Sequence, residues 1–147
     1  MENESSYIPS YPLNTAVLCL TFNRLDTTEQ VFQVIRKARP PRLYVASDGP
    51  RDNKPGEAEK IRKVRDYVLK HVDWECDVKT LFREKNWGCG RAVSSAITWF
   101  FENEEMGIIL EDDCLPSQSF FWFCEELLVK YKDDERIMMI CGTNFLN

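Results

Sequence analysis

Histidine is nearly absent from this sequence, which contains only His71. Zinc sites and Ser-His-Asp triads depend on histidine, so neither kind of site is expected. The six cysteines include no C-x-x-C pair, and several fall inside apolar runs, where a free thiol acts as a small hydrophobic group. We therefore expect reduced thiols and a cytoplasmic location.

Long apolar runs and an excess of positive charge are also missing. No stretch approaches the roughly 20 apolar residues that span a bilayer, and residues 1–6 lack the basic and apolar regions of a secretory signal. The net charge of −5 is opposite in sign to the basic footprint of nucleic-acid-binding proteins. We expect no membrane span and no nucleic-acid partner.

The sequence does contain enough apolar material for one domain. Its 147 residues are 44% hydrophobic, which is sufficient to bury a core. We expect an N-terminal extension over residues 1–13 and a single globular domain over residues 14–147. Within that domain, five short apolar runs alternate with four segments of helical period. The predicted strands are Ala16–Phe22, Leu43–Ser47, Val78–Phe82, Gly107–Leu110 and Ile137–Cys141.

This alternation predicts an α/β fold with an open, mainly parallel, five-stranded sheet and helices on both faces. Asp26 and Glu29 resemble a capping box at the start of the first helix, and Pro40 and Pro41 end that helix. Ligands of parallel sheets bind outside the carboxyl ends of the strands. The residues that follow each strand are therefore the candidates for function.

An acidic triplet follows the fourth predicted strand. Glu111, Asp112 and Asp113 repel one another, so holding all three ionised requires a cation or several hydrogen-bond donors. Their hard oxygen atoms suit Mg²⁺ or Mn²⁺. The alternative is a solvated turn in which Asp113 or Ser117 caps the next helix. The triplet by itself leaves both interpretations open.

Three other strand ends are also polar. Asp48 follows the second strand, where it can accept hydrogen bonds from a base or ribose, or organise an Asx turn. Arg24 follows the first strand and is either a phosphate or pyrimidine contact or a solvated charge. The glycine-containing loop before Arg91 can offer backbone amides and a guanidinium to a diphosphate, or be a plain strand-to-helix turn.

Taken in order, these strand ends resemble the donor-binding half of GT-A glycosyltransferases. The matching segments are Thr21-Phe22-Asn23-Arg24, Ser47-Asp48-Gly49, Asn86-Trp87-Gly88 and Glu111-Asp112-Asp113. They are most similar to the N-acetylglucosaminyltransferase family that begins complex N-glycan branching, although Asn23 stands where that family has aspartate. The resemblance covers roughly residues 14–145 and implies a Rossmann-like, nucleotide-diphospho-sugar-binding domain.

The resemblance also implies roles for individual residues. Arg24 and Asp48 would contact uracil, and Glu111 and Asp112 would bond the ribose or sugar of a UDP-linked donor, with UDP-N-acetylglucosamine favoured. Asp113 would be the direct ligand of Mn²⁺ or Mg²⁺. The same comparison adds Thr21, Asn23 and Arg91 to the expected donor-binding set. The site for a carbohydrate or glycoconjugate acceptor, and the catalytic base, would lie outside this chain.

Other functional classes fit the sequence less well. A nucleotidyltransferase is expected to carry a Gly-x-Gly-x-Arg loop after the first strand, and a receiver domain carries its acidic pair there. This chain has its acidic cluster after the fourth strand instead. A non-catalytic binding or interaction domain stays open, because Trp87, Trp99 and Trp122 can serve either a partner surface or internal packing.

Overall fold

A computed structural model describes residues 7–142 of the chain. Its central feature is an all-parallel sheet of four strands in the order β3-β2-β1-β4, with a helix after each strand. The strands are β1 (Val17–Thr21), β2 (Arg42–Ser47), β3 (Asp77–Phe82) and β4 (Ile108–Glu111). The helices are α1 (Leu25–Ala38), α2 (Glu57–Lys70), α3 (Cys89–Phe101) and α4 (Ser119–Tyr131). This is a Rossmann-like arrangement.

The core lies on both faces of the sheet, since successive residues of a strand point to opposite sides. Val17 and Cys19 of β1 pack on one side with α1, α4 and the end of α2. Leu18 and Leu20 pack on the other side with α3. Strands covered on both faces have no polar side to show, which is why β1 and β2 appear in the sequence as continuous apolar runs. The prediction of helices on both faces is confirmed.

The prediction of a fifth strand over Ile137–Cys141 is wrong, because these residues form no regular secondary structure. Met138 is 98% exposed and Met139 is 75% exposed, so the run is not buried against the sheet. An apolar run becomes a strand only where a neighbouring strand accepts its hydrogen bonds, and β4 pairs with β1 alone within the part of the chain described. Residues 143–147 lie outside the described residues.

The described residues just before β1, which include the end of the expected extension over residues 1–13, contact the core. Leu13 is buried in the core, and the Tyr11 carbonyl accepts a hydrogen bond from Trp122 Nε1 at 2.9 Å. On α4, Glu125 accepts hydrogen bonds from the backbone nitrogens of Asn14 and Thr15. The segment just before β1 is therefore part of the packed domain.

The first helix begins without the expected capping box. Its N-cap is Arg24, no side chain caps it, and Asp26 and Glu29 lie inside the helix. Thr28 instead bonds the Arg24 carbonyl through its hydroxyl at 2.6 Å. The predicted end is confirmed, because Arg39 turns into the left-handed region at φ 51° directly before Pro40. None of the four helices has the length and apolar character needed to cross a membrane, across residues 7–142.

Candidate functional site

A pocket of about 340 Å³ opens at the carboxyl edge of the sheet. The chain passes from β1 outward to β2 and β3 and then returns to β4 on the other side of β1, so the crevice between β1 and β4 is the topological switch point. The pocket is lined by residues at or just after the end of every strand and by residues at the start of α3: Leu20, Thr21, Phe22, Arg24, Ala46, Asp48, Arg51, Arg83, Asn86, Gly88, Cys89, Ala92, Val93, Glu111 and Asp112.

The fold brings five of the eight predicted site residues to this pocket, namely Thr21, Arg24, Asp48, Glu111 and Asp112. Three others lie beside it. Asn23 donates its side-chain amide to Glu57 at 2.9 Å, Asp113 accepts a hydrogen bond from Arg24 at 3.0 Å, and Arg91 lies over the Trp87 ring. Thr21 is buried and donates its hydroxyl to the Ala46 carbonyl at 3.1 Å, which joins the ends of β1 and β2.

Asp48 organises the loop that follows β3. Its carboxylate accepts hydrogen bonds from the backbone nitrogens of Gly49 at 2.9 Å, Trp87 at 3.0 Å and Gly88 at 3.1 Å, and from Asn86 Nδ2 at 3.0 Å. The residue is only 8% exposed. A ligand that bonded Asp48 would have to share these oxygens with four protein donors.

The turn after β2 also depends on Gly49. A Cβ atom at this position would overlap the backbone of Lys85, so the loops after β2 and β3 touch without an intervening side chain. The two residues of the Asp48-Gly49 pattern therefore have separate structural roles. Asp48 is the hydrogen-bond acceptor for the loop after β3, and Gly49 allows the two loop backbones to approach closely.

The acidic triplet does not converge on one point. Arg24 Nη2 lies between Asp112 Oδ1 at 2.5 Å and Asp113 Oδ2 at 3.0 Å, while Glu111 is exposed at the pocket wall. Asp112 is 5% exposed, and its second oxygen, Oδ2, is buried and accepts no hydrogen bond. Burial raises the pKa of Asp112, an effect that the hydrogen bond from Arg24 partly offsets. The same hydrogen bond raises the pKa of Arg24.

These residues fit a metal ion that is shared with phosphate, and they do not form a complete protein cage. Among residues 7–142 no three or more histidine, cysteine or acidic side chains are arranged to hold a metal. Mg²⁺ is usually held by one or two carboxylates together with water and substrate phosphates, so a complete cage is not required. Asp112 Oδ2, a hard oxygen acceptor without a partner, is the atom that favours a cation at this position.

Glu57 is a structural residue of the site that the sequence analysis missed. It is 4% exposed and accepts hydrogen bonds from the Arg51 side chain, from the Arg51 backbone nitrogen at 2.7 Å and from Asn23. The Arg51 hydrogen bonds lower the pKa of Glu57 to about 2. Glu57 therefore fixes the loop of residues 49–56 against the end of β1. The signal available in the sequence was an acidic residue at the start of a helix.

Arg65 on α2 is the second residue that was missed. Its guanidinium donates to the carbonyls of Ser47 at 3.2 Å, Asp48 at 3.0 Å and Arg83 at 2.8 Å, and packs over the Phe82 ring. Burial lowers the pKa of Arg65. The side chain satisfies carbonyls at the ends of both β2 and β3, where the ladder stops. Nothing in the periodicity of α2 distinguishes Arg65 from its solvated neighbours.

Trp87 is an exposed side chain on the loop between Asn86 and Gly88, two residues that line the pocket. It is 43% exposed, and the guanidinium carbons of Arg83 and Arg91 lie 4.6 and 4.3 Å from the ring centroid. Trp122 is buried in the core, and Trp99 packs against the opposite cluster. The packing interpretation is confirmed for Trp99 and Trp122, and Trp87 is the one of the three on the surface.

The cysteines divide into buried and accessible thiols, and all six are free. Burial raises the pKa of Cys19 to about 12 and that of Cys124 to about 11, so both are unreactive packing groups. Cys89, in contrast, is exposed and lines the pocket at the start of α3.

Comparison with known proteins does not assign this chain to a family. The sequence matches no protein-family model, and no match was found among curated proteins. The likeness to GT-A glycosyltransferases thus remains a resemblance carried by strand-end residues, and the function has to be argued from the pocket itself.

Proposed function

We propose that this chain is the donor-binding domain of a metal-dependent glycosyltransferase that uses a UDP-linked sugar, with UDP-N-acetylglucosamine as the favoured donor. The observation that carries the proposal is the pocket at the switch point of a parallel sheet, where a buried aspartate bonds an arginine through one oxygen and leaves its other oxygen without a partner. Open α/β sheets bind nucleotides at this position.

The two parts of the pocket wall suit the two parts of a nucleotide. Apolar side chains, including Leu20, Ala46 and Val93, line the region nearest the sheet and offer a surface for a flat base. Polar groups surround this surface at the strand ends, where they can bond the ribose and phosphates. Arg83 and the start of α3 add positive potential on the side away from the acidic residues.

Asp113 would hold the metal, the role that the resemblance implies for it, and we extend this role to Asp112, which the resemblance assigns to the ribose or sugar. When bound, Mn²⁺ or Mg²⁺ would supply Lewis-acid stabilisation of the charge that develops on the departing nucleoside diphosphate. The protein's own contribution is to hold Asp112 and Asp113 beside Arg24, to fix the Asp48 loop, and to keep the base-binding wall apolar.

Calorimetric titration of UDP and UDP-N-acetylglucosamine, with and without Mn²⁺, tests this proposal. We expect metal-dependent uridine-nucleotide binding that is lost in Asp113→Ala and retained in Asp133→Ala, a control with the same change at an exposed position outside the pocket. GDP should bind more weakly than UDP. Failure of the folded chain to bind any uridine nucleotide, with or without metal, would refute the proposal.

A non-catalytic nucleotide-sugar-binding domain is the second candidate. It is favoured by the exposed Trp87 with two arginines against its ring, a surface suited to a partner. The two candidates differ in whether bound donor is consumed. Release of UDP from UDP-N-acetylglucosamine in the presence of candidate sugar acceptors supports the transferase. Because all six thiols are free, we propose the cytoplasm as the compartment.

A further inference from the structure

Resting on the proposed function, we propose that Arg24 is an internal cation that occupies the metal position between Asp112 and Asp113, and that a divalent metal binds by displacing it. Metal binding and the Arg24 ion pairs would then be mutually exclusive. Arg24 would lower the affinity of the chain for free metal and so make metal binding depend on the donor's diphosphate.

The geometry of the contact is the first argument. A single nitrogen atom, Nη2, makes both ion pairs, at 2.5 Å to Asp112 Oδ1 and 3.0 Å to Asp113 Oδ2. One positively charged atom between two carboxylate oxygens occupies the place that a bridging metal takes. A metal that took both carboxylates as ligands through these two oxygens would therefore have to replace Nη2.

The second argument is that the arginine leaves the site incompletely satisfied. Asp112 is almost fully buried, yet its Oδ2 has no hydrogen-bond partner while Oδ1 is bonded to Arg24. A buried carboxylate oxygen without a partner is costly. A divalent ion carries twice the charge of the guanidinium and has several coordination positions, so it can serve both carboxylates more fully than one N–H group can.

The third argument is that an open cleft can receive the Arg24 side chain when a metal displaces it. Its side chain is 49% exposed, and it forms the wall between the main pocket and an open cleft that also contains Asp26 and Glu29. Lys60 and Lys63 line the far side of this cleft. An arginine that rotated away from Asp112 would enter a cleft that contains two other carboxylates.

Binding of Mn²⁺ alone to the Arg24→Gln variant tests the inference, measured by the loss of the free-ion electron paramagnetic resonance signal. The control is Arg36→Gln, which removes the same charge and a similar ion pair, to Asp73, about 18 Å away along α1 at 1.5 Å per residue. We expect Arg24→Gln to bind Mn²⁺ about tenfold more tightly than the unmodified chain, and Arg36→Gln to match it. Equal or weaker binding by folded Arg24→Gln would overturn the inference.

A measurement on the unmodified chain covers the case in which Arg24→Gln does not fold. Saturating Mg²⁺ should shift the guanidinium nuclear magnetic resonance signals of Arg24 and leave those of Arg36 unchanged. Unchanged Arg24 signals at saturating Mg²⁺ would contradict displacement. The nucleotide titrations separate the two claims, since tighter Mn²⁺ binding by Arg24→Gln together with no UDP binding by the unmodified chain would sustain the inference and refute the proposed function. Metal-dependent UDP binding with no effect of Arg24 would do the reverse.

Discussion

Asp48 offers the sharpest test of how this site is built, because its two interpretations predict different results. If the carboxylate is a structural acceptor for the loop after β3, its removal should destabilise the fold. If it is held free for a base or ribose, its removal should leave stability unchanged and weaken only ligand binding. The structure favours the first result for Asp48→Ala.

The expected magnitude follows from the four donors that Asp48 satisfies. Asn86 Nδ2 keeps a second acceptor, the Gly49 carbonyl at 2.9 Å, so its loss is small. The backbone nitrogens of Trp87 and Gly88 are in partly exposed residues and can be rehydrated, at about 0.5–1 kcal/mol each. The Gly49 nitrogen lies in a buried residue and should cost about 1.5 kcal/mol. The sum is about 3 kcal/mol for Asp48→Ala.

Urea unfolding followed by circular dichroism measures this difference. The control is Asp66→Ala, which removes an exposed carboxylate paired only with exposed Arg62 and should change the free energy of unfolding by less than about 0.5 kcal/mol. For a domain of this size, the Asp48 variant should also melt about 6–12 °C lower. A folded Asp48→Ala variant as stable as the control would show that the loop does not depend on this carboxylate.

Three further predictions concern the parts that support the site. Gly49→Ala should destabilise the fold by about 2 kcal/mol or more, because the added Cβ would overlap the neighbouring backbone. The control, Gly90→Ala, lies in open space on α3 and should stabilise the fold by about 0.5–1 kcal/mol. Equal melting temperatures for the two variants would refute the close approach at Gly49. Glu125→Ala should lower the free energy of unfolding in urea by about 2–3 kcal/mol, because three donors lose a buried acceptor. The control, Glu126→Ala at an exposed position, should lower it by less than about 0.5 kcal/mol. Similar losses in the two variants would contradict this role of Glu125. The folded pKa of Glu57 is depressed to about 2 from 4.5, so the stabilisation by this carboxylate is present above pH 4.5 and is lost as the pH falls toward 2. The difference in unfolding free energy between the unmodified chain and Glu57→Gln should therefore shrink over that range. A difference that stays constant with pH would refute the ion pair.

The sequence by itself was sufficient for the order of elements. Apolar runs and helical periods are local signals; they located β1 to β4 to within a few residues and predicted four helical segments between the apolar runs. They failed at Ile137–Cys141, where the apolar character is the same but no neighbouring strand accepts hydrogen bonds in the described residues. Whether an apolar run becomes a strand depends on the neighbouring strand, and the residues of the run do not specify that neighbour.

The sequence also indicated the edge of the sheet at which polar residues gather, because parallel strands place their carboxyl ends together. It did not determine which of these side chains meet. Arg24 and Asp112 lie 88 residues apart and become an ion pair only because β4 pairs with β1. In the same way, the sheet order brings the loop after β3 to Asp48, and α2 brings Glu57 to Arg51 and Asn23. Local composition determined the elements and the kinds of atoms at their ends, whereas tertiary packing decided which charges are buried, which are paired, and which oxygen is left without a partner.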